Sequence, residues 1–197
     1  MHVSSYQHME DLVNRYLAPG SALSVVDIGS YDVNGSYRTL FGRPQWSYVG
    51  VDLESGPGVD VVLASPYTLP LASASVDLVI SGQAFEHVEY FWMSWLEMLR
   101  VLKPGGMIFL IAPSRGPEHR YPQDCWRFYP DGYRALARYA GCELVEVTTD
   151  WEPHPDPGSS AWGDTVGVFR KTSIGIGQRF ALLAMRWANR MQQRMLR

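Results

Sequence analysis

Four short segments decide the fold class. SVVDIG (24–29), SYVGVD (47–52), SVDLVIS (75–81) and MIFLIAP (107–113) are apolar at almost every position rather than at every second one. A strand that alternates apolar and polar residues can face water on one side. A run without that alternation must be covered on both sides, as strands are in a parallel sheet clothed by helices. Helical patterns alternate with these runs. Residues 5–18 carry apolar positions at helical spacing and stop at Pro19-Gly20. Residues 88–102 form a second pattern, with Phe91, Trp95, Met98 and Leu102 on one face, and Lys103-Pro104-Gly105-Gly106 is expected to end it. DGYRALARYAG (131–141) is a third, closed by Gly141. VDVVL (59–63) reads as one more strand, and CELVEVTTD (142–150) and DTVGVFRK (164–171) as a closing pair with no helix between them. That last feature predicts an antiparallel hairpin at one edge of an otherwise parallel α/β sheet.

Length and charge limit the function. With 197 residues and 19% charged residues the chain is long enough for one domain with a full core. Charge is distributed unevenly: residues 1–164 hold 10 Lys/Arg against 20 Asp/Glu, whereas residues 165–197 hold 7 Lys/Arg and no acid. An acidic body argues against a nucleic-acid partner. Two cysteines, Cys125 and Cys142, make neither a disulfide framework nor a zinc pattern. That cysteine usage makes a reduced, cytoplasmic setting the expectation, and no signal peptide is expected at the N-terminus, which lacks the basic and apolar blocks.

The first strand leads into VVDIGSYDVNG, a strand-to-turn segment of the kind that brings backbone close to a ligand at the carboxyl end of a sheet. A dinucleotide site would carry G-x-G-x-x-G, but only Gly29 fits; Tyr31 and Asn34 stand at the other glycine positions. This opposes an NAD-dependent oxidoreductase. Asp52 closes the second strand, where a carboxylate can accept hydrogen bonds from both hydroxyls of a ribose.

DIGS, VGVDL, LPLASASVDLVISGQAFEHV and EMLRVLKPGGMIFLIAP together resemble the class I methyltransferases dependent on S-adenosylmethionine (SAM), of the small type called methyltransferase domain 11. The resemblance covers roughly residues 20–170. It implies a Rossmann-like seven-stranded mixed sheet with the seventh strand antiparallel between the fifth and sixth. An N-terminal helical cap and a C-terminal amphipathic helix are expected as additions, with the domain at 1–171 and the helical tail at 172–197. SAM has no phosphate, which accounts for the incomplete glycine fingerprint. The resemblance puts Asp27, Gly29 and Ser30 beside the methionine portion, Asp52 on the ribose and Leu53 beside the adenine. Ser65 stands where the family usually has an acid, so Pro66 or Tyr67 is expected to help with the adenine. Ser81, Gly82 and Gln83 would line the sulfonium.

The acceptor is expected at IAPSRGPEHRYPQDCWRFYP (111–130), a long irregular stretch after the fifth strand. Tyr121 and Trp126 offer an apolar wall, and Glu118, Asp124 and Arg127 offer polar contacts; Arg127 tied to a carboxylate as part of a structural lid is the alternative. The stretch from residue 81 to 133 resembles bacterial methyltransferases of glycan synthesis, which implies O-methylation of a sugar hydroxyl. N- or C-methylation and a non-catalytic binding subunit are the alternatives. A hydroxyl is a weak nucleophile and gains from a general base. His119 is the first candidate, then His154, then His87. A metal is the other way to activate a hydroxyl: Glu118, His119, Asp124 and His154 would hold Mg2+ through oxygen-rich coordination. His2 and His8 are expected to face solvent, and Phe91, Trp92 and Trp95 to serve packing.

The tail RFALLAMRWANRMQQRMLR (179–197) repeats Phe180, Leu183, Ala184, Trp187, Ala188, Met191 and Met195 at helical spacing, with Arg186, Arg190, Gln193 and Arg197 on another face. Such a stripe can dock on its own domain, join two copies of the chain, or lie on a membrane surface.

Overall fold

A computed structural model describes residues 2–173 and 175–195. Helix α1 (Val3–Tyr16) is followed by β1 (Leu23–Ile28), β2 (Trp46–Asp52), β3 (Val61–Val62) and β4 (Val76–Gly82). Then come α2 (Phe91–Val101), β5 (Leu102–Arg115), α3 (Pro130–Ala140), β6 (Glu143–Thr149), β7 (Gly163–Arg170) and α4 (Ile176–Met195). The seven strands make one sheet in the order β3-β2-β1-β4-β5-β7-β6. The first five run parallel, and β7 lies antiparallel between β5 and β6. This is the expected seven-stranded mixed sheet.

The continuous apolar runs are explained by two cores. Val26, Val79, Ile108 and Leu110 point to one face and pack with Trp95 and Met98 of α2 and Leu136 of α3. Val25, Leu78, Ile80, Phe109 and Ile111 point to the other, against Met9 and Leu12 of α1 and Phe41. Successive strand residues alternate between the two cores, so the middle positions of β1, β4 and β5 face no water.

Two boundaries and one docking face differ from expectation. Lys103-Pro104-Gly105-Gly106 does not separate helix from strand: β5 begins at Leu102 and continues through it. The reason is a partner across the strand, for Gly105 N–H donates to Lys171 O and Lys171 N–H to Gly106 O. The strand expected over 59–63 keeps two residues, at the sheet edge. The third difference is in α4, which docks by the face opposite to the expected stripe. Leu182 and Met185 pack on the α2 side of the core, and Arg186 reaches Glu97 at 3.2 Å. Phe180, Leu183, Trp187, Met191 and Met195 stay exposed. Arg197 lies outside the described residues. Among the described residues no helix is long and apolar enough to cross a membrane.

Candidate functional site

The carboxyl ends of β1, β2 and β4 meet at one edge of the sheet. Asp27, one residue before the end of β1, is fully buried between Gly50 of β2 and Ile80 of β4. The Tyr48 phenol donates to its Oδ2, while Oδ1 has no partner. Burial pushes the Asp27 carboxyl up to about 7, against the opposing pull of the Tyr48 bond. The chain then turns at Gly29, whose φ of +84° lies in the left-handed region and whose α-carbon faces Ala84 so closely that a Cβ would overlap it. The N–H groups of Gly29 and Ser30 both donate to Val51 O, which anchors the turn on β2. The Ser30 hydroxyl is buried without a partner.

Asp52 ends β2 and organises the neighbouring loops. Its Oδ2 accepts from Tyr31 N–H at 3.0 Å, and its Oδ1 accepts from Leu53 N–H at 2.6 Å and Glu54 N–H at 3.3 Å. A carboxylate has about four acceptor positions, so capacity remains for a ligand hydroxyl. Leu53 is exposed beside it. Ser65 and Pro66 lie across the opening. Ser65 Oγ accepts from Tyr67 N–H, and Pro66 O accepts from Ser94 Oγ of α2. Both therefore shape this loop.

At the end of β4, Ser81 is buried and its hydroxyl donates to Ile28 O at 2.9 Å, tying β4 to β1. Gly82 lies against the Tyr37 hydroxyl, leaving no room for a Cβ. Gln83 has a φ of +59°, a conformation that costs a non-glycine residue energy and that collects at functional sites. Its amide N–H groups donate to Asp164 Oδ1 at 2.8 Å and Ser5 Oγ at 3.2 Å, which aims a buried, unpartnered Oε1.

Next to Gln83 the turn Phe85–His87 carries Glu86. Glu86 is 0% exposed, and neither carboxylate oxygen has a hydrogen-bond partner. Burial lifts its carboxyl to about 8. His87 packs beside it, with Nε2 3.5 Å from Glu86 Oε1 and Nδ1 against Gln123 O. Because a carbonyl can only accept, Nδ1 carries the proton and Nε2 is a free lone pair. Burial holds the His87 pKa below its ordinary value. His119 comes in from the loop after β5. Its ring lies 4.8 Å from that of His87 and 4.7 Å from that of Trp162, and its Nδ1 is 3.3 Å from Asp124 Oδ2. Ligand atoms of Glu86, His87 and His119 lie within 4.8 Å of one another.

The rest of the long loop holds itself in place. Arg127 grips Asp124 at 2.5 and 2.8 Å and also donates to Pro117 O, which keeps the Asp124 carboxyl well below the usual range. Trp126 Nε1–H donates to Val88 O and Glu89 O, and the N–H groups of Cys125 and Trp126 donate to Glu86 O. Tyr121 is 61% exposed at the mouth, edge-on to His87 and His119. Glu118 is exposed and paired with Arg120. His154 is elsewhere: its nitrogens meet Gln7 Oε1 and Asp156 N–H. Hence Glu118, His119, Asp124 and His154 do not form a ligand cluster among the described residues, whereas Glu86, His87 and His119 do.

Helix α1 closes the site. Ser5 Oγ is 2.6 Å from the Tyr37 hydroxyl, Ser4 N–H donates to Ser159 Oγ, and His8 Nε2 is 2.8 Å from Asp150 Oδ2. His2 stacks on Trp162 at 4.6 Å. Neither His2 nor His8 is the solvent-facing residue expected. Burial lowers the His2 pKa to about 4, while the Asp150 bond and charge outweigh burial and raise that of His8. Sequence reasoning singled out neither Glu86 nor Asp164. A legible signal for Glu86 was an acid four residues past an apolar strand and between Phe85 and His87; for Asp164 it was an acid at the start of a strand that is otherwise largely apolar.

Residues 26–110 match the methyltransferase-domain family Methyltransf_11. An uncharacterized methyltransferase of Mycobacterium bovis is 34% identical over 137 residues, which are 61% of this chain and 51% of that one. The chain thus spans about half the length of the curated relatives it matches. Among solved structures, the Haloferax volcanii methyltransferase bound to the Trm112 methyltransferase activator aligns with a TM-score of 0.64 at 19% identity, over 86% of this chain and 91% of that one. The Burkholderia thailandensis 1,6-didemethyltoxoflavin-N1-methyltransferase, with 1,6-didemethyltoxoflavin and S-adenosylhomocysteine bound, aligns at 0.62 and 20% identity, over 87% and 85%. The fold is shared with both.

Proposed function

We propose that this chain, whose residues 26–110 match a methyltransferase-domain family, is a class I SAM-dependent methyltransferase that methylates a hydroxyl group of a small molecule, a sugar or short oligosaccharide. The observation that carries the cofactor assignment is the set of buried oxygens without partners, Asp27 Oδ1, Ser30 Oγ and Gln83 Oε1, at the carboxyl edge of the sheet. Buried polar atoms are ordinarily satisfied, so such a set fits a ligand rich in donors and positive charge. An ammonium and a sulfonium meet that description. Asp27, Gly29 and Ser30 would hold the amino-acid portion, Asp52 the ribose, and Leu53, Ser65 and Pro66 the adenine. When bound, SAM supplies an electrophilic methyl group.

The chain's own residues do the rest. Gln83 and the Ser81–Gly82 backbone border the reacting end. Glu86, protonated through burial, and the rings of His87 and His119 form a polar pocket walled by Trp162 and Tyr121. A hydroxyl group can donate to the His87 lone pair and accept from the protonated Glu86 carboxyl in such a pocket. This favours a polyol acceptor. So does the likeness of residues 81–133 to glycan O-methyltransferases, the actinobacterial 1-O-methyltransferase of methylmannose polysaccharide synthesis among them. His119 takes the hydroxyl proton as the methyl group arrives, a role typically worth ~10²–10⁴-fold. Helix α1 and the loop after β5 keep water out.

The test is transfer of radiolabelled methyl from SAM into a panel of methylated and unmethylated mono- and oligosaccharides. Label in none of them, but in amine acceptors, would replace O- by N-methylation. His119→Ala should lose turnover and keep SAM affinity. Turnover that disappears on thorough chelation and returns with Mg2+ would make a metal, rather than His119, the activating group.

A further inference from the structure

Helix α4 docks by its more polar face and leaves its apolar stripe uncovered. Leu182, Met185, Arg186, Asn189 and Gln193 recur at intervals of three and four and face the body, where Leu182 and Met185 meet the core and Arg186 meets Glu97. Phe180, Leu183, Trp187, Met191 and Met195 recur at the same intervals about half a helical turn away. They are 68%, 56%, 66%, 39% and 77% exposed. A patch of five large apolar side chains on a 20-residue helix is more than a solitary soluble surface ordinarily shows. The helix has four arginines and no acid, and residues 165–197 have none either.

We propose that this outward face of α4 docks on an anionic lipid surface. Its composition is that of an interfacial helix: tryptophan, phenylalanine, leucine and methionine on one stripe, arginine beside it and a low overall hydrophobicity. Charge chooses between lipid and a second copy of the chain. A two-fold contact through the stripe would set one acid-free, arginine-bearing helix against another, whereas anionic headgroups oppose it with the complementary sign. Exposed Arg190 stands beside the stripe, between Trp187 and Met191 in sequence. Position adds a consequence: Asn189, Arg190 and Gln193 border a crevice with Tyr67, in the loop between β3 and β4 that also contains Ser65 and Pro66. Docking would therefore hold the rim of the candidate cofactor cleft near the membrane plane. This inference does not depend on the methyl-transfer reaction.

The experiment is co-sedimentation of the full chain with vesicles of phosphatidylcholine alone and with about one third phosphatidylglycerol, at low and high salt. Binding is expected to the anionic vesicles, with a loss of at least about tenfold at high salt or in Leu183→Glu/Trp187→Glu. Both substituted side chains point away from the body, so an unchanged melting temperature is expected; Arg190→Glu, at an exposed position, is the second variant and should weaken binding in the same direction. No sedimentation with anionic vesicles overturns the proposal. So does equal binding by wild type and all variants. A wild-type dimer in light scattering that Leu183→Glu/Trp187→Glu makes monomeric, with vesicle binding absent, would assign the face to a second copy instead.

Discussion

Glu86→Gln should stabilise the protein, and the gain should grow with pH. In the folded chain the carboxyl is wholly buried, has no hydrogen-bond donor, and is pushed from 4.5 up to about 8. The unfolded chain ionises near 4.5, so between that value and about 8 the folded state binds the extra proton. Stability linked to that proton is whole below 4.5 and is lost as pH rises through 8. Each pH unit in the interval costs about 1.4 kcal/mol. The loss is about 3 kcal/mol at pH 7 and approaches about 5 kcal/mol above pH 8. Glutamine keeps the shape of the protonated acid and cannot ionise. Urea unfolding of wild type and Glu86→Gln, followed by tryptophan fluorescence at pH 5, 7 and 9, should give a stability difference that is small at pH 5 and several kcal/mol at pH 9. A difference that does not change with pH would refute the reasoning: Glu86 would then have a charged or hydrogen-bonded partner in solution.

Gly29→Val should abolish SAM binding in calorimetry and lower stability, since a positive φ costs an L-residue ~1–2 kcal/mol and the new Cβ overlaps Ala84. Asp52→Ala should weaken SAM by about 1.5–3 kcal/mol, the usual worth of hydrogen bonds to a charged acceptor. His8→Ala should cost about 1 kcal/mol at pH 6, where the imidazolium pairs with Asp150, and less as pH rises through the raised His8 pKa, read from unfolding curves at both ends. Deleting residues 173–197 should lower the melting temperature by uncovering the surface under Leu182 and Met185, while SAM affinity in calorimetry stays unchanged.

The sheet was legible because its strands are covered on both faces and announce themselves as unbroken apolar runs. The turn at Gly29 and the acid at Asp52 could be read for the same reason: they sit where those runs stop. The acceptor side was not, because it is assembled from segments distant in sequence. Glu86, His87 and His119 belong to two loops that pair only once β4 and β5 are neighbours, and Trp162 arrives with β7. Lys103-Pro104-Gly105-Gly106 looked like a terminator because its glycine and proline say nothing about Lys171, 66 residues later, that makes it a strand. In α4 the periodicity marked one apolar stripe correctly. It could not say that two aliphatic residues on the polar side, Leu182 and Met185, would make the contact.

The longest-range bonds that fasten α1 over the site, to Asp150, Ser159 and Asp164, join residues 142 to 160 positions apart. At the usual pace of synthesis, about 5–20 residues per second, the segment carrying Met9, Leu12 and Val13 leaves the ribosome on the order of ten to thirty seconds before Asp150 and Asp164 exist. The part of its apolar counterpart formed by Val166 and Val168 is missing for that whole interval. Ribosomal stalling before β7 would leave β6 without the strand it pairs with and Ser4 of the cap without Asp164.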